Sequence, residues 1–266
     1  MKDKLNFNFR FGIILIGSIL FMMILSFFYT PYDINAMEVS SRFFHPSINH
    51  LLGTDNFGRD ILSRIMEGSK FTLFVAISTV TISVFIGTIL GAIAGYKGKI
   101  FDEVIMRLID ALSSFPGILL ALVIVTVLNQ GDFTIIIALS ILFIPSFTRI
   151  SRTGVLKYKN SDFVKSAKVF GTPTLRIIFV HILPNIFADV ISAIVIGLSN
   201  AILAESSMSY LGLGIQPPTP SWGRMLFDAQ SYLFNAPWYA IAPGVIIMIT
   251  VIGFNCIGEG IQEKYC

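Results

Sequence analysis

The sequence predicts an all-α polytopic membrane protein with about six transmembrane helices, and three observations carry that prediction. The first is composition: 54% of the 266 residues are hydrophobic and only 13% charged, with a mean hydropathy of +0.77. Soluble domains carry charge on about a quarter of their residues. The length alone would suit one or two soluble domains, but hydropathy overrules it. The second is the spacing of charge-free runs, at 11–31, 71–96, 111–130, 133–148, 190–204 and 229–258. Roughly 20 apolar residues in a helix cross a ~30 Å hydrocarbon layer. The third is the lack of two-residue alternation in these runs, which argues against a membrane β-barrel.

Lys and Arg set the orientation. With the N-terminus in the cytoplasm, fourteen of the nineteen fall inside, beginning with Lys2, Lys4 and Arg10. Five fall outside: Arg42, Arg59, Arg64, Lys70 and Arg224. Both termini are then cytoplasmic. The net charge of +3 reads as topology, so no nucleic-acid partner is expected. Cys256 and Cys266 fall on the reducing side, with no disulfide framework and no metal-ligand spacing.

Taken in order, residues 1–10 are short and basic and precede the first apolar run. A cleaved signal peptide is the competing reading, but no small-x-small site follows at the right distance. An uncleaved first span is expected. The outer loop 32–70 is longer than a connector needs. Gly53 and Gly58 permit tight turns, and Thr54 and Asp55 can bond nearby backbone. Residues 59–67 read as a short interfacial helix. Ile61, Leu62, Ile65 and Met66 would form its apolar face, with Asp60 and Arg64 a turn apart on the polar face. The loop reads either as a docking surface or outer gate, or as a cap on the helix ends.

In the second span, Gly87, Gly91 and Gly95 recur every four residues and allow close helix approach. In the third, Asp110 lies near the inner end and Pro116 about two turns deeper. Arg107 is one turn back and available as a partner; a proton-coupling role for Asp110 is the alternative. Pro145 is expected to interrupt the fourth span near its cytoplasmic end. Pro184 opens the fifth, with Asp189 at its inner side and Glu205 at its outer end. In the loop 206–237, Pro217, Pro218 and Pro220 exclude helix. Trp222, Tyr232, Trp238 and Tyr239 suit either the headgroup zone or the mouth of a pathway.

The longest polar interval between apolar regions is 151–185. It reads as two short helices end to end. Ser161 caps the first, whose apolar Phe163, Ala167 and Phe170 repeat at helical spacing. Gly171 stops it. Thr172 caps the second, with Pro173 at its first position. A short amphipathic helix tied to spans on both sides can receive a push from a partner.

Catalytic chemistry is not visible. There is no Gly-x-x-x-x-Gly-Lys-Ser/Thr phosphate loop and no His-Glu-x-x-His. His45 and His50 fall outside and His181 inside. An enzyme is not expected, nor a cofactor or metal held by this chain.

Residues 151–185 resemble the coupling motif of bacterial ABC-importer permeases: Glu-Ala-Ala, three residues, Gly, nine residues, Ile-x-Leu-Pro. Lys165, Ser166 and Ala167 stand at the triplet, followed by Gly171, His181, Leu183 and Pro184. Lys in place of Glu, and the ending His-Ile-Leu-Pro-Asn, are similar to the dipeptide/oligopeptide/nickel branch. Residues 50–60 resemble that branch's outer-loop Leu-Gly-Thr-Asp-x-x-Gly-Arg-Asp signature, through Gly53, Thr54, Asp55, Gly58, Arg59 and Asp60. Residues 210–225 resemble its Leu-Gly-Leu-Gly-x-Gln-Pro-Pro-x-Pro-Ser-Trp-Gly signature, through Gln216, Pro217, Ser221, Trp222 and Gly223. Three signatures in order point to the second permease subunit of that branch.

The resemblance implies a type I ABC importer permease fold in the bacterial plasma membrane. Residues 1–70 would form an N-terminal helix and outer loop. Residues 71–266 would form a five-helix core carrying the coupling loop. It also implies partners: a homologous permease, two cytoplasmic ATPases that bind ATP and magnesium, an extracytoplasmic substrate-binding protein, and surrounding lipid. Phe163, Lys165, Ser166, Ala167, Phe170, Gly171, His181 and Pro184 would form the ATPase-coupling surface. Peptides are the implied cargo and nickel or a metal chelate the alternative. A non-transporting scaffold, or an ion-driven carrier with inverted repeats and a mid-membrane ion site, fits less well.

Overall fold

The computed structural model describes residues 7–129 and 131–265, so Lys2, Lys4, Gln130 and Cys266 lie outside the described residues. Within them the chain is a helical bundle. Five helices are long and apolar enough to cross a membrane, or six crossings if one bent pair counts as a span. The order is α1 (Phe7–Leu25), α2 (Ile61–Lys97), α3 (Lys99–Ser114), α4 (Gly117–Leu128), α5 (Asp132–Tyr158), α6 (Asp162–Val169), α7 (Thr174–Arg176), α8 (Phe187–Tyr210), α9 (Trp222–Ala229) and α10 (Pro237–Tyr265).

Lipid tails are as apolar as Leu, so such a bundle is held by close packing and internal hydrogen bonds. The α2–α5 pair shows both. A Cβ on Gly91 would overlap the Thr148 carbonyl oxygen, which is why this position needs Gly. Nearby, Ser83 Oγ donates to Ser140 O at 3.0 Å. Ile19, Leu73, Phe147, Ile202, Trp222 and Ile247 are all buried in one cluster, which joins α1, α2, α5, α8, α9 and α10.

Several expectations are corrected. No separate interfacial helix exists at 59–67, because α2 starts at Ile61 and runs unbroken to Lys97. Ile61 and Ile65 are buried against Met225, Ala229 and Tyr239 rather than facing lipid. The boundary expected at residue 70 therefore falls inside α2. The third span is not one helix. Pro116 disfavours helical backbone at the residue before it, and Phe115 is extended at ψ 138°. The chain bends by 91° there. The apolar α4 is only 12 residues long, about 18 Å at 1.5 Å per residue.

The bend sets α3 beside α5. Arg149 Nη2 donates to Asp110 Oδ1 at 2.9 Å, while Arg107 pairs with Glu103. Asp110 thus has a structural pair, but not with Arg107. Pro145 does not interrupt α5, which continues through it to Tyr158; membrane helices tolerate Pro where neighbours satisfy the freed groups. Helix α8 reaches Tyr210 and α10 starts at Pro237, so the loop between them is shorter than expected at its start, and the last span begins later. Trp222 and Tyr239 are buried at 0% and 1% exposure and are core residues, not headgroup anchors.

Candidate functional site

At the end of the bundle formed by 32–60 and 211–236, a tight loop precedes α2. Gly53 and Gly58 hold φ +78° and +79°, the left-handed region that glycine enters freely. Thr54 Oγ1 donates to Ser41 O and accepts from Phe44 N at 2.8 Å. Asp55 Oδ1 accepts from Phe57 N at 2.8 Å and Arg59 N at 2.9 Å. Its Oδ2 accepts from Arg59 Nε at 2.6 Å. Asp60 caps α2 by accepting from Ser63 N at 2.8 Å and meets His50 Nδ1 at 2.9 Å. Asp60 and Arg64 are both buried, so the exposed polar face expected of them is absent. A buried carboxylate is tolerable only with such a full set of donors.

The second outer stretch closes over the first. Ser221 caps α9, its Oγ accepting from Arg224 N at 3.1 Å. Trp222 Nε1 donates to Ile65 O at 3.1 Å. Gly223 lies so close to Ser206 that a Cβ would stand 2.5 Å from its carbonyl oxygen. Gln216 folds back on its own loop, Nε2 donating to Gly214 O at 3.0 Å. The two outer signatures, over 150 residues apart in sequence, thus meet at one cavity of about 500 Å³. Its lining includes Asn56, Phe57, Arg59 and Arg64 from one side and Pro217, Thr219, Arg224 and Asp228 from the other. Burial pushes the Asp228 carboxyl above the usual range, against the pull of Arg224.

Glu205 is not an exposed helix end. It is fully buried, and its Oε1 accepts from Ser209 Oγ at 2.7 Å. Its place in the α2–α8–α9 packing was missed from sequence; a Ser one turn on, at the i+4 position, was the available signal.

The opposite end holds the coupling candidates. The corner after α5 is braced: Arg152 grips Asp102 with both Nε and Nη2, at 2.5 and 2.6 Å, and Lys159 Nζ donates to Gly95 O at 3.1 Å. Ser161 sits at the N-cap position of α6, but its Oγ donates back to Tyr158 O at 2.6 Å, so it does not cap by side chain. The buried face of α6 is Val164, with Ala167 packed partly against the same cluster. Phe163 and Phe170, expected on one apolar face with Ala167, are exposed, Phe170 by 87%. Lys165 and Ser166 are exposed as well. Gly171 ends the helix at φ +72°. Thr172 N donates to Ala167 O and Gly171 N to Lys168 O, each at 3.0 Å, which is a Schellman closure.

The second helix of this region is not separate. Pro173, not Thr172, stands at its N-cap and Thr174 opens it. It then widens into a π turn over Ile177–Ile182, tightens over Leu183–Ile186 and enters α8. Pro184 has no N–H to offer the carbonyl four residues back, and Leu183 N instead reaches Ile178 O. His181 is half-buried, its carbonyl accepting from Asn185 Nδ2 at 2.6 Å. Pro184 is exposed. A buried cluster of Ala92, Val155, Val164, Ile178, Ile182 and Ile186 locks this elbow to α2, α5 and α8. Between α5, α8 and α10 lies a further cavity of about 340 Å³, whose polar lining includes Ser146, Asp189, Ser192, Asn200 and Gln262.

Residues 87–264 match the model of the family described as binding-protein-dependent transport system inner membrane component. The chain belongs to this family. It is a multi-pass membrane transport component and not a catalytic enzyme. Among similar proteins, the dipeptide transport system permease protein DppC of Alkalihalophilus pseudofirmus is 40% identical over 95% of this chain and 83% of its own length. The oligopeptide transport system permease protein OppC of Bacillus subtilis is 35% identical over the same shares. A chain of the MetNI methionine ABC transporter, in an inward-facing conformation, aligns with a TM-score of 0.64 and 16% identity over 76% of this chain and 96% of its own. At that identity the likeness shows the fold, that of a type I ABC importer permease.

Proposed function

We propose that this family member is one of two homologous permeases of an ATP-driven importer of di- and oligopeptides. The two would enclose a translocation path, lined in this chain by the cavity between α5, α8 and α10. The observation that carries the reading is the elbow at 151–185. It exposes Phe163, Val169, Phe170 and Leu175 on a helix braced by buried contacts to three spans. An exposed apolar patch rimmed by Lys165 and Lys168 suits a protein partner. That partner would be a pair of cytoplasmic ATPases, which would hold ATP and magnesium and grip Phe163, Lys165, Ser166, Ala167, Phe170 and Gly171. His181 and Pro184 would lie on the path from this grip into α8. Closure of the ATPases would rotate the elbow and α5 and α8 with it, a two-state change of access.

The elbow and both termini are then cytoplasmic, and Gly53–Asp60 and Gln216–Gly223 face an extracytoplasmic binding protein. The peptide relatives above do not favour nickel as cargo, and a scaffold would not need a braced lever. The test is uptake by the reconstituted importer with its binding protein. A labelled dipeptide is expected to accumulate only with ATP. Accumulation of Ni²⁺ and not of dipeptide would reverse the cargo assignment, and uptake with no ATPase bound would overturn the mechanism.

A further inference from the structure

The outer cavity carries more positive charge than its own structure neutralises. Three guanidinium groups stand at it: Arg59 and Arg64, with side chains 4% and 3% exposed, and Arg224 at 15%. Two carboxylates answer them. Asp55 is committed to Arg59 and to two backbone N–H groups. Asp228 Oδ1 lies 3.0 Å from Arg224 Nε. Arg64 stands 3.9 Å from Asp55 Oδ2, beyond hydrogen-bond range, and Nη1 holds only a carbonyl, that of Ile34, at 3.1 Å. The neighbouring acids are engaged elsewhere, Asp60 with His50 and Ser63 and Glu38 with Ser40 and Ser41. One buried positive charge is therefore in excess, and burying a charge is unfavourable without a counter-charge.

The mouth differs from the floor. Arg59 stacks on Phe57 at 4.7 Å and Arg224 on Phe227 at 4.5 Å. Phe57, Met37, Pro217 and Thr219 are exposed around the opening. An apolar rim over a basic floor fits an acidic side chain presented on a protein surface. The lining comes only from 37–64 and 217–232. It includes no residue of α5 or α8, the helices that line the mid-bundle cavity. Cargo seated here would not be on that route.

We infer that the outer cavity is a socket for a carboxylate side chain of the extracytoplasmic binding protein, received by Arg64 and Arg224. This rests on the importer reading above. Asp228 competes with the incoming carboxylate for Arg224 and so sets how tightly the socket holds.

The test is affinity between the assembled importer in nanodiscs and its purified binding protein, for wild type, Arg224→Gln and Asp228→Asn. The α9 cap uses the Arg224 backbone N–H, so Arg224→Gln preserves it. Arg224→Gln should weaken binding about tenfold, the scale of one lost interfacial charge pair. Asp228→Asn should strengthen binding by roughly threefold and steepen its fall with salt, since one more unpaired cation faces the partner. Opposite signs support the socket. Weakening by both variants indicates a structural role and overturns it, as does unchanged affinity in both. Unchanged protein affinity with weaker retention of free dipeptide makes the occupant cargo and also overturns it. No binding to the wild-type importer removes the importer reading itself, and the socket with it.

Discussion

Around residues 50–60 and 210–225, Thr54, Asp55, Arg59, Ser221 and Trp222 are buried and bonded. Across the bundle, Phe163, Val169 and Phe170 stand in solvent on a helix of eight residues. Both stretches carry family-like signatures, yet one spends its residues on internal bonds and the other leaves them free. Polar groups are worth keeping in a buried loop only if they hold a fixed shape. Large apolar groups left exposed need a partner. The outer end therefore acts as a frame, and the elbow as a handle.

Breaking the frame should damage stability first. Arg59→Ala leaves Asp55 buried without its ion partner, which costs about 3–5 kcal/mol in such sites. The expected result is a lower melting temperature of the purified permease and less of it in the membrane. An unchanged melting temperature would mean that the outer loop is not a rigid frame. The smallest effect belongs to Asp110, whose side chain is 65% exposed. Exposed ion pairs contribute about 0–1 kcal/mol, so Asp110→Asn should leave stability and uptake near wild type. A large loss of uptake would revive a proton-coupling role.

The same contrast explains what was legible in the sequence. Hydropathy located the spans because bilayer thickness dictates their length. The Gly87–Gly91–Gly95 spacing pointed to a close helix contact, and α5 supplies it. Boundaries failed where a polar residue had two possible roles. Asp60 looks like the polar face of a surface helix and is the cap of a 37-residue one. Pro116 announces a break, but its 91° bend and the Asp110–Arg149 pair depend on where α5 lies. Pro184 looked like the opening of a new helix, and a π turn carries the chain through instead. Glu205 looked terminal because local sequence does not show the hydroxyls and the α9 packing around it. The elbow's motif was readable, but which of its apolar residues are free was not: Val164, rather than Phe163, turns inward.

Phe170→Asp in the reconstituted importer tests the handle most directly. The side chain is 87% exposed, so the change removes almost no internal packing. With the permease still assembled in the membrane, ATP-driven dipeptide uptake should fall at least about tenfold, the equivalent of ~1.4 kcal/mol of lost coupling. Wild-type uptake by Phe170→Asp would contradict the assignment of this surface to the ATPase.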